Sequence, residues 1–164
     1  MFRPDKCVLG MTFSRPMGEP IRVLFVCVGN CVRSQMAEAI ARHSCGDIIA
    51  AESAGVSPLG FIDKTAKMVL HQRGISVHGQ YSKGLQCEDL KTPHVIINMS
   101  GIPGNSLFAG KKFEDWEVED PFGEDIEVHR RICDSIEARV TLLAAQLRTA
   151  VRETGTEPGR GSQR

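Results

Sequence analysis

Residues 21–28 read I-R-V-L-F-V-C-V, an almost unbroken apolar run rich in β-branched side chains. A strand buried on both faces has this pattern, so the run predicts a central strand of a parallel sheet. The period then changes. Met36, Ala37, Ile40 and Ala41 share one face of a helix that opens at Ser34 and runs to about Cys45, with Gly46 as its stop. Residues 47–54 read as a second strand, 63–73 as a helix closed by Gly74, and 94–99 as a third, apolar strand. A short helix is expected over residues 84–90 and a fourth strand over 112–118. Ile126, His129, Cys133, Ile136, Val140, Leu143 and Leu147 then recur at steps of three and four, the stripe of one long amphipathic helix. Strands alternating with helices predict a doubly wound α/β sandwich with its ligand site at the carboxyl ends of the strands.

Residues 1–20 scatter Gly, Pro and Met without periodicity and read as an N-terminal extension. Residues 151–164 have the composition of a disordered tail, which leaves 21–150 as the folded domain. A length of 164 residues fits one domain with one core. Its 20 Lys and Arg offset 20 Asp and Glu, so no net field draws the chain to nucleic acid or an anionic membrane. Any anion it binds has to be held locally. The apolar runs fall far short of the roughly 20 residues of a membrane span. The first 20 residues carry no apolar segment of secretory type, so the expected compartment is the cytoplasm and the 6 cysteines are expected to be free thiols. No two of them have C-x-x-C spacing and no histidine cluster accompanies them, so neither a metal nor another cofactor is expected.

Residues 27–34, C-V-G-N-C-V-R-S, lie between the first strand and the first helix. A thiol at a strand end, followed by a tight loop entering a helix N-terminus, meets converging backbone N–H groups and the positive end of the helix dipole. Such a site binds an oxyanion and favours a thiolate. Val28, Gly29, Asn30, Cys31, Val32, Arg33 and Ser34 are the candidate anion-binding loop, with Cys27 as nucleophile. Gly29 lets the backbone approach the anion, Asn30 tolerates a left-handed conformation, and Arg33 offers a planar fork to two oxygens. Ser34 is a candidate helix cap and a hydroxyl donor to the thiolate. C-D-S-I-E-A-R, residues 133–139, repeats the Cys-to-Arg spacing but lies inside the long helix, where Cys133 reads as a small apolar core residue. A nucleophile of this kind needs an acid for the leaving group. Asp120, in V-E-D-P-F-G, is the candidate, with Phe122 beside the pocket entrance; an Asp-Pro pair is also a common turn former.

V-L-F-V-C-V-G-N-C-V-R-S-Q-M-A-E-A, then S-A-G-V, then D-P-F-G ahead of a terminal helix, resemble the low-molecular-weight protein tyrosine phosphatase family, which includes arsenate reductases of the same fold. The resemblance spans residues 21–147. It implies a three-layer sandwich with a four-stranded parallel sheet, the phosphotyrosine protein phosphatase I-like architecture, and a phosphocysteine intermediate. It makes Cys27 the nucleophile, Arg33 the transition-state clamp, Ser34 the thiolate stabiliser, Asn30 the loop brace and Asp120 the general acid. The implied partners are a phosphorylated protein or a small phosphomonoester or oxyanion, with a cellular thiol reductant if arsenate is the substrate. Phosphotyrosine enzymes of the family carry two adjacent aromatics after Asp-Pro and another after the second strand. Phe122 is followed by Gly123, so the expected aromatic wall is thin. D-P-F-G also resembles protein arginine phosphatases, although their loop has Thr where Cys31 stands. The reductases pass electrons through two cysteines after the third strand, where residues 100–110 contain none and Ser100 takes the first position. Relatives also often carry a protective thiol next to the loop Arg; here that position is Val32, and Cys31 reads either as a displaced resolving thiol or as a small neutral wall.

Overall fold

A computed structural model describes residue 8 and residues 10–154. Its elements in chain order are β1 (Ile21–Cys27), α1 (Arg33–Ser44), β2 (Ile49–Gly55), α2 (Lys64–Gln72), β3 (Val95–Asn98), α3 (Gly104–Leu107), β4 (Phe113–Asp115) and α4 (Ile126–Thr154). The strands form one parallel sheet in the order β2-β1-β3-β4, which puts the apolar run of β1 at its centre. Cys27 pairs with Gly55 and Val26 with Asn98, so the carboxyl ends of β1, β2 and β3 finish level with one another.

Alternation along β1 sorts its side chains to two cores. Val23, Phe25 and Cys27 join the larger one, built with Met36, Ala37 and Ile40 of α1, Val69 and Leu70 of α2, and the Cys133, Ile136, Val140, Leu143 and Leu147 stripe of α4. Leu24 and Val26 face the other side, where they meet Ala54, Ile96 and Phe108. Burying side chains of this size is worth about 1.5–3 kcal/mol each, so the α4 stripe alone accounts for much of what holds that helix to the sheet. Among the described residues, no helix is long and apolar enough to cross a membrane.

The helix expected over residues 84–90 does not form. Gly84 bridges to Gly55 at the end of β2, and the segment continues through isolated turns, with Leu85 and Leu90 packed on the smaller core. Docking onto a strand end imposes an extended start that is incompatible with a helical first turn. α3, which the apolar pattern did not signal, helps cover the same face. β4 is shorter than the stretch expected over 112–118. Ser34 does not cap α1: the cap position is Val32, without a side-chain bond, and Ser34 lies inside the first turn. Asp63, placed inside α2 by the sequence pattern, instead caps it by accepting from the Ala66 N–H at 3.0 Å. α4 continues past Leu147 to Thr154; the tail from 155 onward lies outside the described residues. Residues 10–20 have no helix or strand, yet Val8 is fully buried and Met11 and Phe13 pack on the main core.

Candidate active site

β1 ends at Cys27 and α1 begins at Arg33, so residues 28–32 make the whole connection. Asn30 achieves the reversal with a left-handed backbone, φ 47°, a conformation Asn tolerates at low cost. Gly55 makes room for it. A Cβ there would stand 2.6 Å from the Val28 carbonyl oxygen and 2.9 Å from Asn30 N, which explains the glycine of S-A-G-V.

The loop turns its carbonyls outward. Those of Cys27, Val28, Gly29 and Cys31 accept from the N–H groups of Val56, Ser57, Leu59 and Asp63 at 2.8–3.0 Å. The Asn30 carbonyl accepts from the Gln35 amide at 3.1 Å and that of Val32 from the Met36 N–H at 2.8 Å. Among the described residues, the N–H groups of residues 28–33 make no backbone bond of this kind. A row of uncommitted N–H groups at a helix N-terminus is an oxyanion cradle.

Donor directions around Cys27 follow from Asn30. This side chain, fully buried, donates through Nδ2 to Ser34 Oγ at 2.8 Å and to Ser53 Oγ at 2.9 Å. Its Oδ1 accepts from the Lys83 N–H at 2.8 Å and Gln35 Nε2 at 3.0 Å. Each serine oxygen accepts from Asn30, so each hydroxyl hydrogen is free to go onward. Ser34 lies 3.0 Å from Cys27 Sγ, so its hydrogen supports a thiolate there. Ser53 donates to Glu38 Oε2 at 2.5 Å. Burial raises the Glu38 pKa above the ordinary carboxylate value, against the opposing pull of the Ser53 bond. Glu38 and Ser53 had no role in the sequence reading. The available signal was the four-residue spacing of Ser34 and Glu38, which puts both on one face of α1.

Arg33 is buried and anchored at its head. Nη1 donates to the Met99 carbonyl at 2.7 Å and the Val118 carbonyl at 3.2 Å, and Nη2 to Asp120 Oδ2 at 3.0 Å. Nε is buried without a partner. Asp120, about half-exposed, also accepts the Phe122 N–H through Oδ1 at 3.2 Å, so it shapes the turn while facing the loop arginine. The structure therefore brings Cys27, Asn30, Arg33, Ser34 and Asp120 together.

The rim corrects the expectation of a thin aromatic wall. Phe122 is joined by Phe61 from the β2–α2 connection, with ring centroids 6.4 Å apart and both rings about half-exposed. Leu59 lies against Gly29, where a Cβ would come within 3.2 Å of its side chain. Cys31 Sγ sits on the same side of Gly29. Burial, with the charge of Cys27 second, pushes the Cys31 thiol up to about 11, so at neutral pH it carries no charge. Cys133 is fully buried inside α4 and burial raises it to about 11 as well; the repeated Cys-to-Arg spacing marks no second site. Ser100 follows β3 and donates to Asn98 Oδ1 at 2.7 Å. Cys87 lies in the irregular segment ahead of β3, beside Tyr81 and Asp89.

Residues 22–153 match the family described as low molecular weight phosphotyrosine protein phosphatase. The glutaredoxin arsenate reductase of Synechocystis sp. is 33% identical over 129 residues, covering 77% of this chain and 98% of the relative. The protein-arginine-phosphatase of Geobacillus stearothermophilus is 34% identical over 146 residues, covering 79% and 98%. A solved arsenate reductase in a phosphate-binding state superposes with a TM-score of 0.68 at 32% identity, covering 77% of this chain and 98% of that one.

Proposed function

Because the chain belongs to the low molecular weight phosphotyrosine protein phosphatase family, we propose that it is a cytoplasmic phosphatase that removes a phosphoryl group, from a phosphorylated protein above all, through Cys27. The observation that carries this reading is the loop itself: carbonyls tied outward, N–H groups of residues 28–33 uncommitted, and a cysteine beneath them with a serine hydroxyl on its sulfur. The phosphoryl oxygens take the loop N–H groups, and Arg33 adds its unpartnered Nε. Cys27 attacks phosphorus in line; the bond to the leaving oxygen breaks, and Asp120 supplies the proton that oxygen needs. A water then attacks the phosphocysteine with Asp120, now a carboxylate, taking its proton. Phosphate leaves and the Cys27 thiolate is restored.

A second reading, arsenate reduction, is favoured by the similarity to named reductases. Against a relay of cysteines after β3 stands Ser100, in a stretch, 100–110, with no cysteine. An external thiol would have to resolve the adduct. Purified protein assayed side by side on an aryl phosphate, a phosphoarginine peptide, and arsenate with either thioredoxin or glutathione and glutaredoxin separates these readings. Hydrolysis of a phosphorylated substrate exceeding arsenate turnover is expected, and Cys27→Ser abolishes it while still binding inorganic phosphate. Efficient arsenate reduction with no hydrolysis overturns the proposal.

A further inference from the structure

His129 is the one histidine of the long helix, 1% exposed, and it has no part in the chemistry above. Its Nδ1 lies 2.9 Å from the Asp125 carbonyl, at the residue just ahead of α4 whose side chain accepts the Val128 N–H at 3.0 Å. Its Nε2 points the other way, 3.3 Å from Asp63 Oδ2, a buried contact that is an ion pair when the ring is protonated and is not a hydrogen bond. Asp63 in turn caps α2 and donates its own N–H to the Cys31 carbonyl at 2.9 Å. One imidazole therefore spans from the segment that carries Asp120 and Phe122 to the segment that carries Leu59 and Phe61 and that holds the loop carbonyls.

The same two segments meet again at the surface. Phe61 stands two residues before Asp63 and Phe122 three residues before Asp125, and their rings touch across the mouth. The inner contact is polar and buried; the outer one is apolar and half-exposed. The two contacts lie at the inner and outer ends of one junction between the walls.

We infer that the His129–Asp63 pair is a latch that holds the two walls of the Cys27 cleft together and sets the width of its mouth. His129 and Asp63 are thus positioning residues that limit how bulky a substrate reaches the sulfur. A side chain at position 129 that cannot reach Asp63 frees the Asp120–Phe122 wall to part from the Phe61 wall, which its bonds to the loop carbonyls hold in place beside Cys27 and Ser34. The inference rests on the site reading for its consequence, not for its geometry, so its test does not depend on turnover.

The test compares alkylation of Cys27 by iodoacetamide, which is small, with alkylation by N-phenylmaleimide, which needs an open mouth. The proteins are the full chain, His129→Phe, His129→Gln, Asp63→Ser and the double variant His129→Phe with Asp63→Ser. Ser at position 63 still caps α2 but is too short to reach the imidazole. A buried polar contact of this kind shifts an opening equilibrium on the order of tenfold, so the maleimide-to-iodoacetamide rate ratio should rise by roughly that factor in His129→Phe and Asp63→Ser. The double variant should add nothing further, and His129→Gln, whose amide reaches Asp63, should restore most of the parent ratio. Cys133, buried in the core, reports general loosening and should stay unreactive. An unchanged ratio in either single variant, an additive double variant, or Cys133 labelling in step with Cys27 overturns the latch. Should His129→Phe fail to fold, Asp63→Ser alone decides. Loss of phosphatase activity in the parent would sink the proposed function and leave this ratio interpretable.

Discussion

Asn30→Ala removes the side chain on which the loop is built. Four contacts go at once: the donations to Ser34 and Ser53, and the acceptances from the Lys83 N–H and Gln35. The serines keep other partners and the Gln35 amide keeps the Asn30 and Tyr81 carbonyls, but the part-buried Lys83 N–H loses its acceptor, at about 1–3 kcal/mol. Alanine must also hold the left-handed backbone seen at φ 47°, a further ~1 kcal/mol. The sum, about 2–4 kcal/mol, is a large share of the ~5–15 kcal/mol that keeps a domain folded. Asn30→Gly separates the two causes, because glycine adopts the same backbone freely. Urea unfolding followed by circular dichroism measures both variants. Alanine should lose the full amount, and glycine should recover only about 1 kcal/mol of it. Alkylation of Cys27 should slow in both, since Ser34 is no longer oriented towards the sulfur. A loss below about 1 kcal/mol in Asn30→Ala, or full recovery in Asn30→Gly, would refute the claim that the side-chain network organises the loop.

Three further outcomes follow from the same geometry. Asp120→Asn keeps the turn-forming acceptor but not the proton, so turnover of esters with poor leaving groups should fall by roughly 100-fold or more while activated aryl esters suffer less; an equal loss across leaving groups would leave Asp120 only its turn role. Titrated with iodoacetamide at neutral pH and mapped by peptide, Cys27 should be modified ahead of Cys31 and Cys133, because burial holds those two at about 11; labelling of Cys31 ahead of Cys27 would contradict this. Glu38 has a folded pKa raised by burial, so the folded state binds more protons than the unfolded one from the ordinary carboxylate range upward, and its contribution to stability declines as pH rises through that window. Glu38→Gln should flatten that decline in denaturation curves recorded across acidic to neutral pH, and an unaltered slope would show that Glu38 is not its source.

The parts of this protein legible in its sequence are those set within a few residues. The apolar run of β1, the stripe of α4 and the strand-loop-helix context of Cys27 are local patterns, and the fold returns each of them. What the pattern missed depends on parallel crossovers, which bring residues far apart in the chain to one sheet edge. Phe61 meets Phe122 because β2 and β4 both empty their connections towards the same end of the sheet. Gly55 looks like an ordinary turn residue until the register with Cys27 shows that a Cβ would strike the Val28 carbonyl. Residues 84–90 carry helix-forming spacing, but the bridge to Gly55 overrides it.

The same logic explains how the loop can be so polar and still fold. Asn30, Arg33, Ser34, Gln35 and Glu38 occupy a nine-residue span and all are buried, a composition that would weaken an isolated helix start. Ser34 is bonded within the loop by Asn30; the others are tied to distant elements, Ser53 of β2, Lys83 and Tyr81 of the segment after α2, Met99 at the end of β3, and Val118 and Asp120 on the approach to α4. Several of these bonds find their partners only where the sheet has closed, so the site is complete only in the finished fold. The carbonyls of Cys27, Val28, Gly29 and Cys31 are tied to the segment after β2 and those of Asn30 and Val32 to α1, so the anion cradle is a property of the assembled fold and not of the C-V-G-N-C-V-R-S segment alone.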